Sequence, residues 1–304
     1  MAPLRTDPVV TGPVLSVDVG GTKTLRGVIH LDGSLSNEVT TPTRLGGDDF
    51  ARVGMLTAQA VLAHRPAAVA IGVPEYVDQA GSVTSHEVLS WAEQPAVLVA
   101  DSLAEAGMRP PPLVVDSDVR LGALGEAHFG AGRGAASFVY VSLGTGLSSA
   151  FVIDGQAWRG ARGEAIGFGE FRAGEGTLES LVSGAGVAAG YQAATGLEVT
   201  GRDVAERARG GEALATDLLV RAGTAVGDAI ADLAAVLDPQ RIVLGGGWGT
   251  ADTPLTRRAR EQYDRRSGRR PGAGPLVLAA LGHRSGLLGG AVAARRALAA
   301  HPAE

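Results

Sequence analysis

The chain has 304 residues, a formal net charge of -5 and no cysteine. That excludes a disulfide framework and thiolate metal sites, and argues against a nucleic-acid or membrane surface, both of which favour clustered Lys and Arg. Hydrophobic residues at 45% and charged residues at 19% are ordinary for a globular protein.

Met1 to Pro13 is polar and proline-containing, without the apolar core of a signal peptide, so a cytoplasmic protein is expected. Val14 to Val19 is a short apolar run that reads as a buried strand. After the turn at Gly20-Gly21-Thr22-Lys23, strands are predicted over Thr24–Leu31 and Leu35–Thr41, joined by an Asp32-Gly33 hairpin turn. A helix over Asp49–His64 and a buried strand over Ala67–Gly72 follow. Pro110 to Pro112 then precede a strand at Leu113–Val115 and a helix from Val119 to about Phe129.

The order begins again at Ser137. A strand over Ser137–Leu143, a turn at Gly144-Thr145-Gly146, a strand over Ser148–Ile153 and an Asp154-Gly155 turn repeat the opening. Helices are predicted over Leu178–Ala194, Gly201–Ala208 and Glu212–Leu237. A buried strand, Arg241–Leu244, ends in Gly245-Gly246-Gly247, and Gly286–Ala300 is an Ala/Leu-rich helix. The repeated opening implies a duplicated α/β unit with an interdomain cleft. The expected domains are a small one over 1–117, with the C-terminal helix 288–304 packing back on it, and a large one over 118–287.

Glycine makes up 45 residues, roughly double the usual ~7%, and much of it clusters after strands. Such turns let backbone N–H groups approach phosphate oxygens closely. In the first turn, Thr22 and Thr24 can add hydroxyl donors, and Lys23, the single lysine of the chain, a point charge. Asp18 at the strand end suits a Mg2+ ion held through water. A strand and not a helix follows, so this is no Walker A loop. Gly144-Thr145-Gly146 offers the same chemistry in the second half. Gly245, Gly246 and Gly247 suit contact with a flat adenine or its ribose. The plainer reading of each turn alone is a hairpin.

Asp116-Ser117-Asp118 ends a strand and opens a helix. Transfer of a phosphoryl group to an alcohol needs a carboxylate within reach of the hydroxyl, and Asp118 is the candidate base. The plainer reading is a helix cap that accepts a bond from a backbone N–H near Leu121.

Together these segments resemble the ROK family of sugar kinases and sugar-responsive repressors, from about Val14 to Ala300. The resemblance rests on Asp18–Thr24, on Asp116–Glu126, on Leu143–Gly146, on Leu178–Gly184 and on Leu237–Gly247. It implies an actin-like, ribonuclease H-like two-domain fold, ATP with Mg2+, Asp118 as base, and a homodimer. The departures lie on the acceptor side. The family's Glu-x-Gly-His becomes Gly167-Phe168-Gly169-Glu170, the Asn before the base becomes Ser117, and an Asn ahead of a tryptophan becomes Glu87, before Trp91. A family glycine near Gly72 becomes Glu75. The cysteine-rich zinc loop is missing, so no structural zinc is expected.

These changes imply a retained phosphoryl-transfer apparatus with a rebuilt acceptor pocket, with Ser117, Glu170, Glu87 and Gly72 as its candidate contacts. The expected acceptor is the exocyclic primary hydroxyl of a sugar or a sugar-like C7-cyclitol. Alternatives are a conventional glucokinase or N-acetylhexosamine kinase with a drifted pocket, and a non-catalytic sugar sensor. With the first strand at Val14, a helix-turn-helix repressor is not expected.

Overall fold

A computed structural model describes residues 12–43, 49–270 and 272–300. The opening polar run up to residue 11 and the end of the expected C-terminal helix, 301–304, lie outside the described residues. The chain divides into two compact units. The first runs to His128 and takes in 161–164 and the chain from Arg284; the second is 129–160 with 165–283.

The first unit contains β1 (Val14–Val19), β2 (Lys23–Ile29), β3 (Leu35–Pro42), α1 (Asp49–His64), β4 (Ala68–Val73), α2 (Pro95–Glu105), β5 (Leu113–Ser117) and α3 (Asp118–Phe129). Its sheet has the order β3-β2-β1-β4-β5. The β1–β2–β3 meander is antiparallel, and β4 and β5 add in parallel. Every residue of β4 is buried, as an apolar run between two parallel neighbours requires. β3 lies at the edge and is largely open to water, which its Glu, Asn and Thr side chains tolerate.

The second unit contains β6 (Ser137–Leu143), β7 (Leu147–Ile153), β8 (Gln156–Trp158) and a two-stranded hairpin, β9 (Arg172–Ala173) with β10 (Gly176–Thr177). There follow α4 (Leu178–Val182), α5 (Gly184–Thr195), α6 (Gly201–Arg209), α7 (Ala213–Leu237), β11 (Arg241–Gly245), α8 (Gly246–Gly249), α9 (Pro254–Ser267) and β12 (Leu276–Leu278). Its main sheet runs β12-β11-β6-β7-β8. That is the order of the first sheet, with β6 in the place of β1 and β11 in that of β4. The duplication read from the sequence is therefore present as topology. No helix among the described residues is long and apolar enough to cross a membrane.

The predicted helix over Leu178–Ala194 is two helices. Ser183 ends α4 and caps α5, its side chain accepting a bond from Gly186 N–H at 3.0 Å. A Ser-Gly pair favours a cap over helix interior. The chain returns to the first unit as α10 (Ser285–Ala300). Its Ala291 and Ala294 pack with Val14, Ile29, Ala68 and Ala70 on one face of the first sheet, while α1 and α2 cover the other through Phe50, Val61, Val99 and Leu103. Small residues let α10 lie close. No Cβ would fit at Gly286 against the Asp18 carboxylate or at Gly290 against Ser16.

Candidate functional site

The parallel strands β1, β4 and β5 all end on one edge of the first sheet, and there the acidic groups converge. Asp18 pairs in register with Gly72, and Gly72 with Asp116. A Cβ at Gly72 would lie 3.4 Å from Asp118 Cα and 3.5 Å from Asp18 Oδ1, which puts both aspartates beside this glycine; the tightest contact there would be Leu121 Cδ1, at 3.0 Å. Burial pushes the Asp118 carboxyl up to about 8; the charge of Asp18 pushes the same way, the Val119 N–H opposes it, Glu75 adds to it and Arg120 opposes it. Burial also lifts Asp18, to about 6, against the pull of Lys23. Asp18 rests on the first turn of α10, where the helix dipole favours its ionised form.

Asp118 does not make the expected cap bond near Leu121. Its Oδ1 accepts from the adjacent Val119 N–H at 2.6 Å. The fold behind it is held by Arg120, which is 2% exposed and pairs with Asp116 at 2.6 Å. Arg120 also donates to the carbonyls of Gly163 and Val77, each at 2.6 Å. Each of the three guanidinium nitrogens thus donates a hydrogen bond, which a buried Arg needs. Ser117 is buried at the end of β5, its N–H bound to Asp116 Oδ1.

The first glycine turn is closed by Gly20 N–H donating to Lys23 C=O at 2.9 Å. Gly21, Thr22 and Lys23 lie at the surface of this turn. Thr24, read as a hydroxyl donor, is a correction: it is buried and its hydroxyl is bonded to Thr43 Oγ1 at 2.9 Å. As the second residue of β2, its side chain turns inward from the exposed Lys23.

The second turn joins β6 to β7 and is held from behind. Gly144 N–H donates to Gly146 C=O within the turn, while Gly184 and Ala185, the first residues of α5, donate to the carbonyls of Gly144 and Thr145. Glu179 Oε2 accepts from Leu147 N–H at 2.6 Å. A Cβ at Gly144 would meet nothing within 4 Å, so that side of the loop is open. The Gly245-Gly246-Gly247 run is different. Gly245 lies over the Tyr140 ring, and Gly246 has φ +80° and no room for a Cβ against Leu143 C=O. Of the three, Gly247 alone faces open space. The Trp248 indole beside it packs against Gly184 and Gly201.

Glu87 is exposed in the first unit and Glu170 is exposed in the second, at the end of a short helical turn, Phe168–Glu170. Sequence reasoning missed Glu179, Ser183 and the loop-holding role of Arg120. The Ser183-Gly184 pair inside an apolar helical pattern was the available signal for the break. Nothing local marks Glu179, which holds the distant Leu147 N–H, and the local Arg120–Asp116 pair does not reveal the bonds of Arg120 to residues 77 and 163.

The ROK family's sequence model matches residues 14–297. A glucokinase of Streptomyces coelicolor is 29% identical over 93% of this chain and 98% of that protein. The bifunctional enzyme NanE/NanK of Brucella melitensis is 31% identical over 92% of this chain and 53% of that protein. Among solved structures, a ROK family glucokinase from Streptomyces griseus in complex with glucose and AMPPNP aligns with a TM-score of 0.79, 28% identity, and coverage of 94% of this chain and 100% of that one. A ROK hexokinase from Thermus thermophilus aligns at 0.78 with 27% identity, covering 93% of this chain and 97% of that one.

Proposed function

This chain belongs to the ROK family, and from that premise we propose that it is an ATP-dependent kinase acting on the exocyclic primary hydroxyl of a sugar or sugar-like cyclitol. The observation that carries the reading is Asp118, at the end of a parallel strand, with a carboxyl lifted to about 8. A base works best when its pKa lies near the working pH. The acceptor hydroxyl gives its proton to Asp118, its oxygen forms the new bond to the γ-phosphorus, and the bond from that phosphorus to the β–γ bridging oxygen breaks with ADP as leaving group.

Lys23 and the N–H groups of the Gly20–Thr22 turn suit phosphate, as does the open side of Gly144–Gly146. Gly247 and its neighbours Gly245 and Gly246 suit the nucleoside end. Mg2+ supplies neutralisation of phosphate charge when bound. A carboxylate crowded by a like-charged neighbour favours a cation, and Mg2+ takes one or two carboxylates plus phosphates and water, so Asp18 fits it. Among the described residues no group of three or more His, Asp or Glu could hold a metal by itself.

On the acceptor side Ser117, Gly72 and Glu87 are the proposed contacts of the first unit, and Glu170 is the candidate of the second. Gly167 and Glu170 stand where the family has Glu and His, which favours an acceptor other than glucose. An ionised carboxylate accepts hydrogen bonds but cannot donate one as His can. The second reading, a glucokinase or N-acetylhexosamine kinase, is favoured by the glucose bound to the Streptomyces griseus relative. A panel of hexoses, N-acetylhexosamines and C7-cyclitols, followed by ADP release, tests both. The expected outcome is kcat/KM for glucose at least ~10²-fold below that of the best cyclitol or sugar, the scale for unmatched buried polar groups. Glucose as the best acceptor would establish the second reading; no acceptor-dependent ADP from any alcohol would refute a kinase.

A further inference from the structure

Glu75 is a carboxylate 4% exposed in the first unit, two residues beyond the end of β4. Among the described residues no cation accompanies it in the contacts it makes. Its Oε2 accepts from Ser85 Oγ at 2.5 Å and Glu87 N–H at 2.7 Å, and its Oε1 from Val88 N–H at 2.8 Å and Leu89 N–H at 2.7 Å. Three consecutive backbone amides and one hydroxyl thus wrap a single carboxylate. Short bonds to an ionised acceptor are the strong kind, and they set the geometry of everything between Ser85 and Leu89.

The same loop is fixed from its other side. Trp91 Nε1 donates to Ser85 C=O at 3.0 Å, and the His86 ring stacks on Trp91 with centroids 4.4 Å apart. Trp91 in turn stacks on the buried Phe50 at 5.9 Å. With the backbone held inward, His86, Glu87 and Val88 stay exposed. The loop also borders the first glycine turn, since a Cβ on Gly21 would lie 3.4 Å from Val88 Cγ1.

We propose that Glu75 is a positioning residue that fixes loop 85–89 so that Glu87 meets the ring hydroxyls of the acceptor. The inference rests on the kinase reading above. An exposed carboxylate next to a phosphate turn repels phosphate, so its partner is a neutral hydrogen-bond donor, and a polyhydroxylated ring supplies several. Glu75 does not touch substrate. It removes three amides from the loop's hydrogen-bonding surface and leaves the Glu87 carboxylate exposed between His86 and Val88.

Glu75→Gln keeps the volume but puts an NH2 donor against N–H or O–H donors. The expected result is an acceptor KM raised by ~10-fold, with nucleotide affinity within about 2-fold of the unmodified protein, the split that marks lost acceptor binding. Amide exchange at Glu87, Val88 and Leu89 should quicken in the same variant. Ser85→Ala, which deletes one of the donors, should move the acceptor KM the same way by less. If the unmodified protein phosphorylates an acceptor and both variants keep its KM, the positioning role is wrong while the kinase reading stands. Equal loss of nucleotide and acceptor affinity in both variants would also overturn it, as a general loss of structure. An unmodified protein with no acceptor-dependent turnover would instead bring down the kinase reading.

Discussion

In both units a glycine turn follows the first strand of a sheet with the same strand order, yet what stands behind the two turns differs. Behind Gly20-Gly21 are charges: Lys23 on the turn, Asp18 beneath it, Asp118 across Gly72, and the buried pair Arg120–Asp116. Behind Gly144–Gly146 the support is the start of α5 and one carboxylate, Glu179, bound to a backbone N–H. The first unit holds groups that take up and release protons. The second offers an open loop whose shape is set by the backbone. Nucleotide binding at the second turn can therefore be damaged without touching the proton chemistry, which belongs to the first unit alone.

The sharpest break is expected in the charged unit. Asp118→Asn should lower kcat by at least ~10²-fold, at the low end of what a general base contributes, with nucleotide affinity unchanged. Single-turnover kinetics beside nucleotide titration separates the two quantities. Turnover equal to that of the unmodified protein would remove Asp118 from the chemistry and leave the two turns without their main contrast.

A smaller effect of the opposite kind is expected in the second unit. At Gly144 a Cβ meets nothing within 4 Å, so Gly144→Val should fold and place its side chain where a phosphate approaches. Affinity for a non-hydrolysable ATP analogue should fall by ~10-fold or more, about the contribution of one or two charge-assisted hydrogen bonds. The melting temperature should hardly move. In the first unit a Cβ at Gly21 would meet Val88 Cγ1 at 3.4 Å, an ordinary contact, and Gly21→Val should act in the same direction. Calorimetric titration that finds full affinity in both variants would place the nucleotide elsewhere.

This contrast was only partly legible in the sequence. The strands are short apolar runs bounded by glycine or Asp-Gly, and their period showed through: β1, α1 and β6 appear over the residues expected, Val14–Val19, Asp49–His64 and Ser137–Leu143. The helix α9 went unread because its Arg-rich sequence shows little apolar periodicity, and it is buried only along Leu255, Thr256, Ala259, Gln262 and Tyr263. β12 is three residues long and takes its identity from pairing with β11. At the site, the glycine turns and Asp118 could be found because phosphate and proton chemistry restrict residue types locally. The supports could not. Glu75 reaches residues 85–89 and Arg120 reaches residues 77 and 163, and such partnerships exist only after folding. Gly245 and Gly246 carried the opposite risk. They read as ligand glycines, and a tyrosine ring and a carbonyl require glycine there in any case, so the residue type alone is no sign of a ligand.

The smallest expected effect is on stability and again belongs to the charged unit alone. The Asp118 carboxyl is raised from the usual 3.8 to about 8, first by burial and then by the charge of Asp18. A carboxyl whose folded pKa lies above its unfolded value binds its proton more tightly in the folded state. Its contribution is therefore fully present below the unfolded pKa, declines as pH rises, and is lost once pH passes the folded pKa. Asn carries no proton to lose, so Asp118→Asn should match the unmodified protein's melting temperature near pH 4. It should exceed it progressively toward pH 8 and keep the margin above. The group is partly open to solvent, which reduces the effect to ~2–4 °C for a chain of this size. Asp18→Asn should lower the Asp118 pKa by removing the neighbouring charge, and so shrink that margin when the two changes are combined. Gly144→Val, with no titrating group behind it, should show the same small difference from the unmodified protein at every pH. Melting scans from pH 4 to pH 9 that run parallel for Asp118→Asn and the unmodified protein would mean that Asp118 is not strained by its charge, and the electrostatic difference between the two units would then be confined to Asp18, Lys23 and the Arg120–Asp116 pair.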